Sequence, residues 1–367
     1  MASTPLSFVG HRADPAAWAK DLGISRAAID LYLASDIVDL HVDTFIWTRS
    51  WGYDLAQRHG SGLFGARLYG HADLPRIREA QITGAIWVIT TNPLRSAQGR
   101  AATFVRNIAD LRARLAACEA DVAVVRDADE YARARATGKH AAFIGIQGGS
   151  ALDAPGALDL IPERLVVRIT LVHLYNSSLG VTSAPSGGDG GLTAAGKEYV
   201  RQLDARRIFV DLAHIRRRGF FDAVEVHDRS LPLIVTHTGV CGVYPHWRNI
   251  DDEQLRAVAD TGGTVGIMYH APFLGRGSEG TKAGRIVDHI EHVVKTVGDD
   301  HVSLGSDWDG AITTPRDMPT CLELPRLVHL MLERGLREDT VKKVLGTNYL
   351  RALRHLRGSS TSGMAPA

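Results

Sequence analysis

Residues 208–237 read IFVDLAHIRRRGFFDAVEVHDRSLPLIVTH. The segments 208–214 and 231–237 are apolar runs, and each stops on a histidine, His214 and His237. Similar runs occur at 37–42, 84–91, 141–147, 166–173, 263–270 and 302–307, which brings their number to eight. They are rich in Val, Ile and Leu with little internal alternation, as expected of parallel strands buried on both faces. Helical stretches lie between most of them. Over 193–206 a Thr193 cap precedes Ala195, Tyr199 and Leu203 on one face. Ile286, Ile290, Val293, Val294 and Val297 keep the spacing of a helix that covers a sheet. Residues 251–259 open on acidic side chains, which suit a helix N-terminus.

Strands alternating with helices predict a (β/α)8 barrel of the TIM type, with a doubly wound open sheet as the rival. The polar residues separate the two. Seven of the eight runs close on polar or titratable groups: His41 and Asp43, Gln147, His173, His214, His237, Tyr269 and His270, and Asp307. The other closes on Thr90 and Thr91. A barrel gathers its chemistry at the C-terminal ends of many strands, whereas an open sheet concentrates ligands at one switch point. The barrel is therefore the predicted fold.

The 367 residues carry 42 Lys and Arg against 41 Asp and Glu, which argues against an electrostatic nucleic-acid binder. No apolar run reaches the roughly 20 residues of a membrane helix. The N-terminal residues lack the pattern of a secretory signal and the C-terminal ones that of a lipid anchor. Cys118, Cys241 and Cys321 are odd in number and widely spaced, which predicts a reducing, cytoplasmic setting. No linker divides the chain, so 1–357 is expected to form one catalytic domain, followed by a flexible tail at 358–367. The Gly/Ser-rich segment 176–191 follows the fourth strand and reads either as a lid over the barrel mouth or as a solvated loop. The long segment 48–70 after the first strand is expected to form part of the rim.

Four of the 16 histidines, His41, His173, His214 and His237, close apolar strands and carry motifs, and His270 is the least certain of the others. His41 and Asp43 are two apart on a strand and face one way, and imidazole plus carboxylate suits a divalent metal. His214 and His237, at the ends of consecutive strands, are expected to share a metal with them or beside them. Asp307, in HVSLGSDWDG, is placed to take a proton from metal-activated water and return it to a leaving group. Asp309 competes for that role. His173 is placed to polarise a carbonyl or stabilise an oxyanion. Arg248 can clamp a substrate carboxylate. Tyr269 is assigned to substrate binding.

These residues stand in the stretches DLHVDTF, HADLPRIREAQITGAIW, FIGIQGG, RITLVHLYN, GLTAAGKEYVRQLDARRIFVDLAHI, PLIVTHT, HWRNIDDEQLRAV, GGTVGIMYH and VSLGSDWDG. Together they resemble the membrane (renal) dipeptidase family of metallopeptidases, M19, in the amidohydrolase superfamily. The resemblance implies a distorted (β/α)8 barrel with two zinc ions. One would be held at His41 and Asp43, the other at His214 and His237, with a glutamate bridging both. It also implies contact of His173 with the scissile group, Arg248 on the substrate carboxylate, and Asp307 in the proton transfers. The chain departs from that pattern at the bridging position, which is Gln147. A neutral carboxamide lacks the charge and the two equivalent oxygens that hold two like-charged ions together. Weaker or single-metal binding is therefore expected. Glu163 and Asp153 are the nearby carboxylates that could compensate.

The expected activity is hydrolysis of a dipeptide or dipeptide-like small amide bearing a carboxylate, with one or two zinc ions. The alternatives are non-hydrolytic chemistry on an amino-acid-derived metabolite with one metal, and a non-catalytic binding protein. No nucleic-acid or membrane partner is expected, and the resemblance implies a homodimer.

Overall fold

The computed structural model describes residues 5–60, 65–277 and 281–358. Eight parallel strands form the barrel: β1 Val38–Val42, β2 Gly84–Thr90, β3 His140–Gln147, β4 Val166–Thr170, β5 Phe209–Asp211, β6 Ile234–Thr238, β7 Thr264–Ile267 and β8 Val302–Leu304. Each pairs with the next, and β8 pairs with β1 through Asp39 and Leu304, so the sheet closes on itself. All eight runs predicted from sequence are these strands. The closed barrel excludes the open sheet.

The barrel is distorted beside β3. An additional strand, Val122–Val124, pairs with the first half of β3, at His140 to Ala142. Strand β4 takes over that edge only from Ile144 onward. The sequence reading missed this strand, because three residues are too short for a periodic signal. A second pair missed in the same way joins Arg67–Leu68 to Ile312–Thr313 and ties the rim segment to the loop after β8.

Helices cover the barrel as expected, with small adjustments. In the helix Ala194–Ala205 the Thr193 hydroxyl caps Gly196 N–H, as predicted. The buried face, however, runs through Gly196, Tyr199, Val200 and Leu203, while Ala195 is exposed. The reason is a close approach: a Cβ on Gly196 would lie 1.9 Å from the Leu179 carbonyl oxygen. Asp251 and Gln254 form a reciprocal capping box on the helix Asp252–Ala259. The N-terminal end of the barrel is closed by Arg357, which donates to the carbonyls of Arg126, Arg164, Val166 and Arg207. The polar strand ends lie at the opposite mouth. Segment 176–191 is bonded into the structure through the pairs Gly180–Leu192 and Thr182–Ile215. The predicted tail at 358–367 lies outside the described residues apart from Gly358. No helix among the described residues is long and apolar enough to cross a membrane.

Candidate metal centre

His41, Asp43, Gln147, His214, His237, Arg248 and Asp307 converge at the C-terminal mouth, and His173 stands beside them. The His41 and His237 rings are 3.8 Å apart at their centroids. His214 Nε2 lies 2.8 Å from His237 Nε2 and 3.2 Å from the Gln147 amide nitrogen. Donor atoms of His41, His237 and Asp307 fall within 4.8 Å of one another. Burial lowers the pKa of His214 and His237 well below the ordinary imidazole value, and neighbouring cations add to it. Both rings are therefore neutral at neutral pH, the form that ligates a metal.

Not all of these residues end a strand. His214 lies beyond β5, in a left-handed backbone conformation at φ +65°. Two residues of the Gly/Ser-rich segment hold that turn: Ser183 N–H donates to the His214 carbonyl at 2.6 Å and the Thr182 hydroxyl at 3.3 Å. The segment read as a lid or a solvated loop thus braces a site histidine. Asp307 is likewise left-handed, at φ +63°. Non-glycine residues in this region are uncommon and collect at functional sites.

Beneath the histidines lies a buried network with Asp211 at its centre. Its Oδ2 accepts from the hydroxyls of Thr170 at 2.6 Å and Thr236 at 2.7 Å. Its Oδ1 accepts from the Thr236 and Ala213 N–H groups. Since the Thr236 proton goes to Asp211, its oxygen accepts from His237 Nδ1, 2.9 Å away. That leaves the His237 Nε2 lone pair facing His214 Nε2.

On the other side of Asp211 stands Arg168, fully buried and 3.3 Å from Oδ2. Its Nη1 donates to Thr170 Oγ1 and the Ile146 carbonyl, and its Nη2 donates to His41 Nδ1 at 2.7 Å. Gly145 makes room for it, since a Cβ there would come 2.7 Å from Arg168 Nε. An arginine only donates, so His41 Nδ1 is an acceptor and the neutral ring carries its proton on Nε2. Two carboxylate oxygens face that nitrogen, Asp43 Oδ2 at 3.2 Å and Asp307 Oδ1 at 3.6 Å.

Gln147 is buried, and its Oε1 has no partner among the described residues. With the amide rotated so that this oxygen replaces the nitrogen beside His214, it would join His214 Nε2 and His237 Nε2 as a third neutral donor. Donors that crowd one another with an unpartnered oxygen among them fit one cation on this side. The His41 side does not fit a second one. Arg168 already supplies a positive charge there, and the proton on His41 Nε2 occupies the ligating lone pair.

A cavity of about 330 Å³ opens over the site, lined by Asp43, Gln147, His173, His214, Arg248 and Asp307. Trp47, Trp247, Met268 and Phe273 supply apolar walls. The Arg248 guanidinium is almost fully buried and donates to the His237 carbonyl at 2.8 Å. Burial lowers its pKa to about 10, against the pull of Asp307 and Asp211. Burial and the charge of Asp43 raise the Asp307 carboxyl well above the usual range, although Arg248 pulls it down. Burial brings His173 to about 4, so it stands neutral beside the cavity.

One sequence assignment changes, and the alternatives not favoured from the sequence, Asp309 and the two compensating carboxylates, are not taken up. Tyr269 is buried edge-on against Trp308, 5.6 Å between ring centroids, and it is its neighbours Met268 and His270 that line the cavity. Asp309 is used structurally: it accepts from Thr44 Oγ1 and from the N–H groups of His71 and Ala72, which pins the loop after β8. Neither compensating carboxylate reaches Gln147. Asp153 pairs with Arg100 and Ser178, and Glu163 is exposed just before β4, at the closed end of the barrel. Arg168 and Asp211 were missed. Their signal in the sequence is a charge inside an apolar run, in VVRITLVH and IFVDLAH.

Comparison with known proteins finds relatives in sequence and in structure. A protein of Klebsiella pneumoniae described as an uncharacterized protein in the pqqA 5' region is 37% identical over 169 residues, 45% of this chain and 61% of that one. The dipeptidase tcpJ of Claviceps purpurea is 30% identical over 314 residues, 82% of this chain and 73% of that protein. A solved structure of the dipeptidase AC, a metallopeptidase of family M19, superposes with a TM-score of 0.78 at 26% identity, over 89% of this chain and 99% of that one. The model of the membrane dipeptidase family matches residues 25–363, nearly the whole chain, so this protein belongs to peptidase family M19 and is a metal-dependent, dipeptidase-like hydrolase.

Proposed function

We propose that the chain hydrolyses a dipeptide or dipeptide-like small amide that carries a free carboxylate. The observation that carries this reading is Arg248, a guanidinium buried at the cavity wall with Asp307 and the histidine cluster beside it. A desolvated guanidinium facing a cavity recognises a planar anion through paired hydrogen bonds. The volume suits a small molecule.

His214 and His237, with Gln147 beside them, are the residues that would hold the metal, of which zinc is the first choice for such donors. When bound, the ion supplies a Lewis acid and a water of lowered pKa. The other steps belong to the chain. Arg248 binds the substrate carboxylate and fixes the amide over the histidines. Asp307 takes the proton that the attacking water gives up and delivers it to the departing amine. His173 faces the carbonyl oxygen and favours the negative charge that develops there. Trp47, Trp247 and Phe273 exclude bulk water.

The test is a panel of dipeptides and their C-terminal amides assayed with the zinc-loaded protein. Faster turnover of the free acids supports the reading, and equal turnover of acids and amides, or of neither, overturns it. A second reading, elimination or another tailoring reaction on an amino-acid derivative, draws its support from Gln147, whose neutral amide departs from the bridging carboxylate. Product analysis on the same panel separates the two. Residues 1–357 are read as one catalytic unit acting as a homodimer in a reducing compartment. In support, Cys118, Cys241 and Cys321 are all unbridged. Light scattering of the purified chain tests the dimer.

A further inference from the structure

We infer that this centre holds a single metal ion, on the His214–His237 side, and that the guanidinium of Arg168 takes the place of a second ion's charge on the His41–Asp43 side. The inference rests on reading the site as a metal centre and is independent of the substrate.

The donors and acceptors around each ring carry it. His237 gives its Nδ1 proton to Thr236, whose own proton goes to Asp211. This is the arrangement in which an outer carboxylate readies a histidine for a metal. His41 has the opposite arrangement. A cation donates to its Nδ1, and two carboxylate oxygens face its Nε2. Ligation through Nε2 would need either a donor facing a donor at Nδ1 or loss of the ring's last proton. One carboxylate, Asp211, thus sets both rings, readying His237 through Thr236 and holding Arg168 against His41.

Charge leads to the same result. Two ions side by side require anions between and around them. The residue beside His214 is the neutral Gln147, and its unpartnered oxygen suits one ion. Arg168 adds a fixed positive charge 2.7 Å from His41, where a second ion would meet repulsion. The slot is built for it, since Gly145 lacks the Cβ that would collide with Nε. Asp43 keeps a purpose without a second ion: its carboxylate accepts from Thr90 Oγ1 at 3.1 Å and faces the His41 proton.

The test counts metal. The full chain is incubated with excess zinc chloride, desalted, and its zinc measured by mass spectrometry. One zinc per chain is expected for the wild type and for His41→Ala, and none for His237→Ala. The double variant Gln147→Glu with Arg168→Met should gain a second ion. Two zincs in the wild type, none in the wild type, or loss of zinc in His41→Ala with retention in His237→Ala each overturn the inference. Should a variant fail to fold, as judged by circular dichroism, anomalous diffraction from the zinc-loaded wild type gives the answer alone. One peak between His214 and His237 supports the inference, and a peak at His41 defeats it. A zinc count of one without dipeptide hydrolysis defeats only the substrate reading, and a count of two with hydrolysis defeats only this one.

Discussion

Arg168 Nη2 lies 2.7 Å from His41 Nδ1, across the barrel interior from β4 to β1, two strands that do not pair. A buried cation in this position is held by Asp211 on one side and directs the imidazole on the other. The consequences can be measured.

Replacing Arg168 by Met leaves the Asp211 carboxylate buried without its cation. Removing one partner of a buried pair costs about 3–5 kcal/mol. Urea denaturation of Arg168→Met should show that loss, and Arg168→Lys, which keeps the charge but not the fork that reaches both Thr170 and His41, should recover only part of it. Unchanged stability in Arg168→Met would remove Asp211 and Arg168 from their structural role.

Arg248→Met should act on binding. Hydrogen bonds to a charged group contribute about 1.5–3 kcal/mol, or roughly 10- to 100-fold in an equilibrium constant. KM for free-acid dipeptides should rise by that factor while C-terminal amides are little affected. A fall in kcat alone, with KM unchanged, would place Arg248 outside substrate binding.

Asp307→Asn keeps the shape of the side chain and removes its proton transfer. A positioned acid or base contributes about 10²- to 10⁴-fold, so kcat should drop within that range. The zinc content should remain that of the wild type, since Asp307 is not assigned to the ion. Loss of zinc in this variant would make it a ligand instead.

Two buried histidines away from the site govern acid stability. His140 donates from Nδ1 to the Ile82 carbonyl and accepts the Trp87 indole N–H at Nε2. His289 accepts the Val240 N–H at Nδ1 and faces the Leu274 carbonyl with Nε2. Burial lowers each from 6.5 to about 4. The unfolded chain therefore binds these protons first. The stability of the folded state falls as pH drops from about 6.5 to about 4, by up to about 3 kcal/mol for each histidine, and levels off below that. Above pH 6.5 the effect is absent. Denaturation curves of the wild type and His140→Gln between pH 7 and 4 should converge as the pH falls, and parallel curves would refute it.

Much of the architecture could be read along the chain. A strand buried on both faces leaves an apolar run, and the polar residues that close each run mark one end of a barrel. For that reason His41, Asp43, His214, His237 and Asp307 were legible from their positions alone. Short elements such as Val122–Val124 left no period to detect. Asp307 and Asp309 share left-handed backbones two positions apart and both line the cavity, and only their partners separate them: Asp309 is bonded to Thr44, His71 and Ala72, while Asp307 faces His41 Nε2.

The sequence by itself determined the barrel, its functional end and the chemical types gathered there, because periodicity and strand termini are local properties. It also displayed Gln147 where the resemblance implies a glutamate. What the missing charge means was decided only by the tertiary structure. Arg168 and His41 are far apart in sequence and on unpaired strands, so closure of the barrel alone brings guanidinium and imidazole together. Which ring nitrogen carries a proton, and hence which histidines remain free to hold an ion, follows from that meeting and from the placement of Asp211 between Thr170 and Thr236.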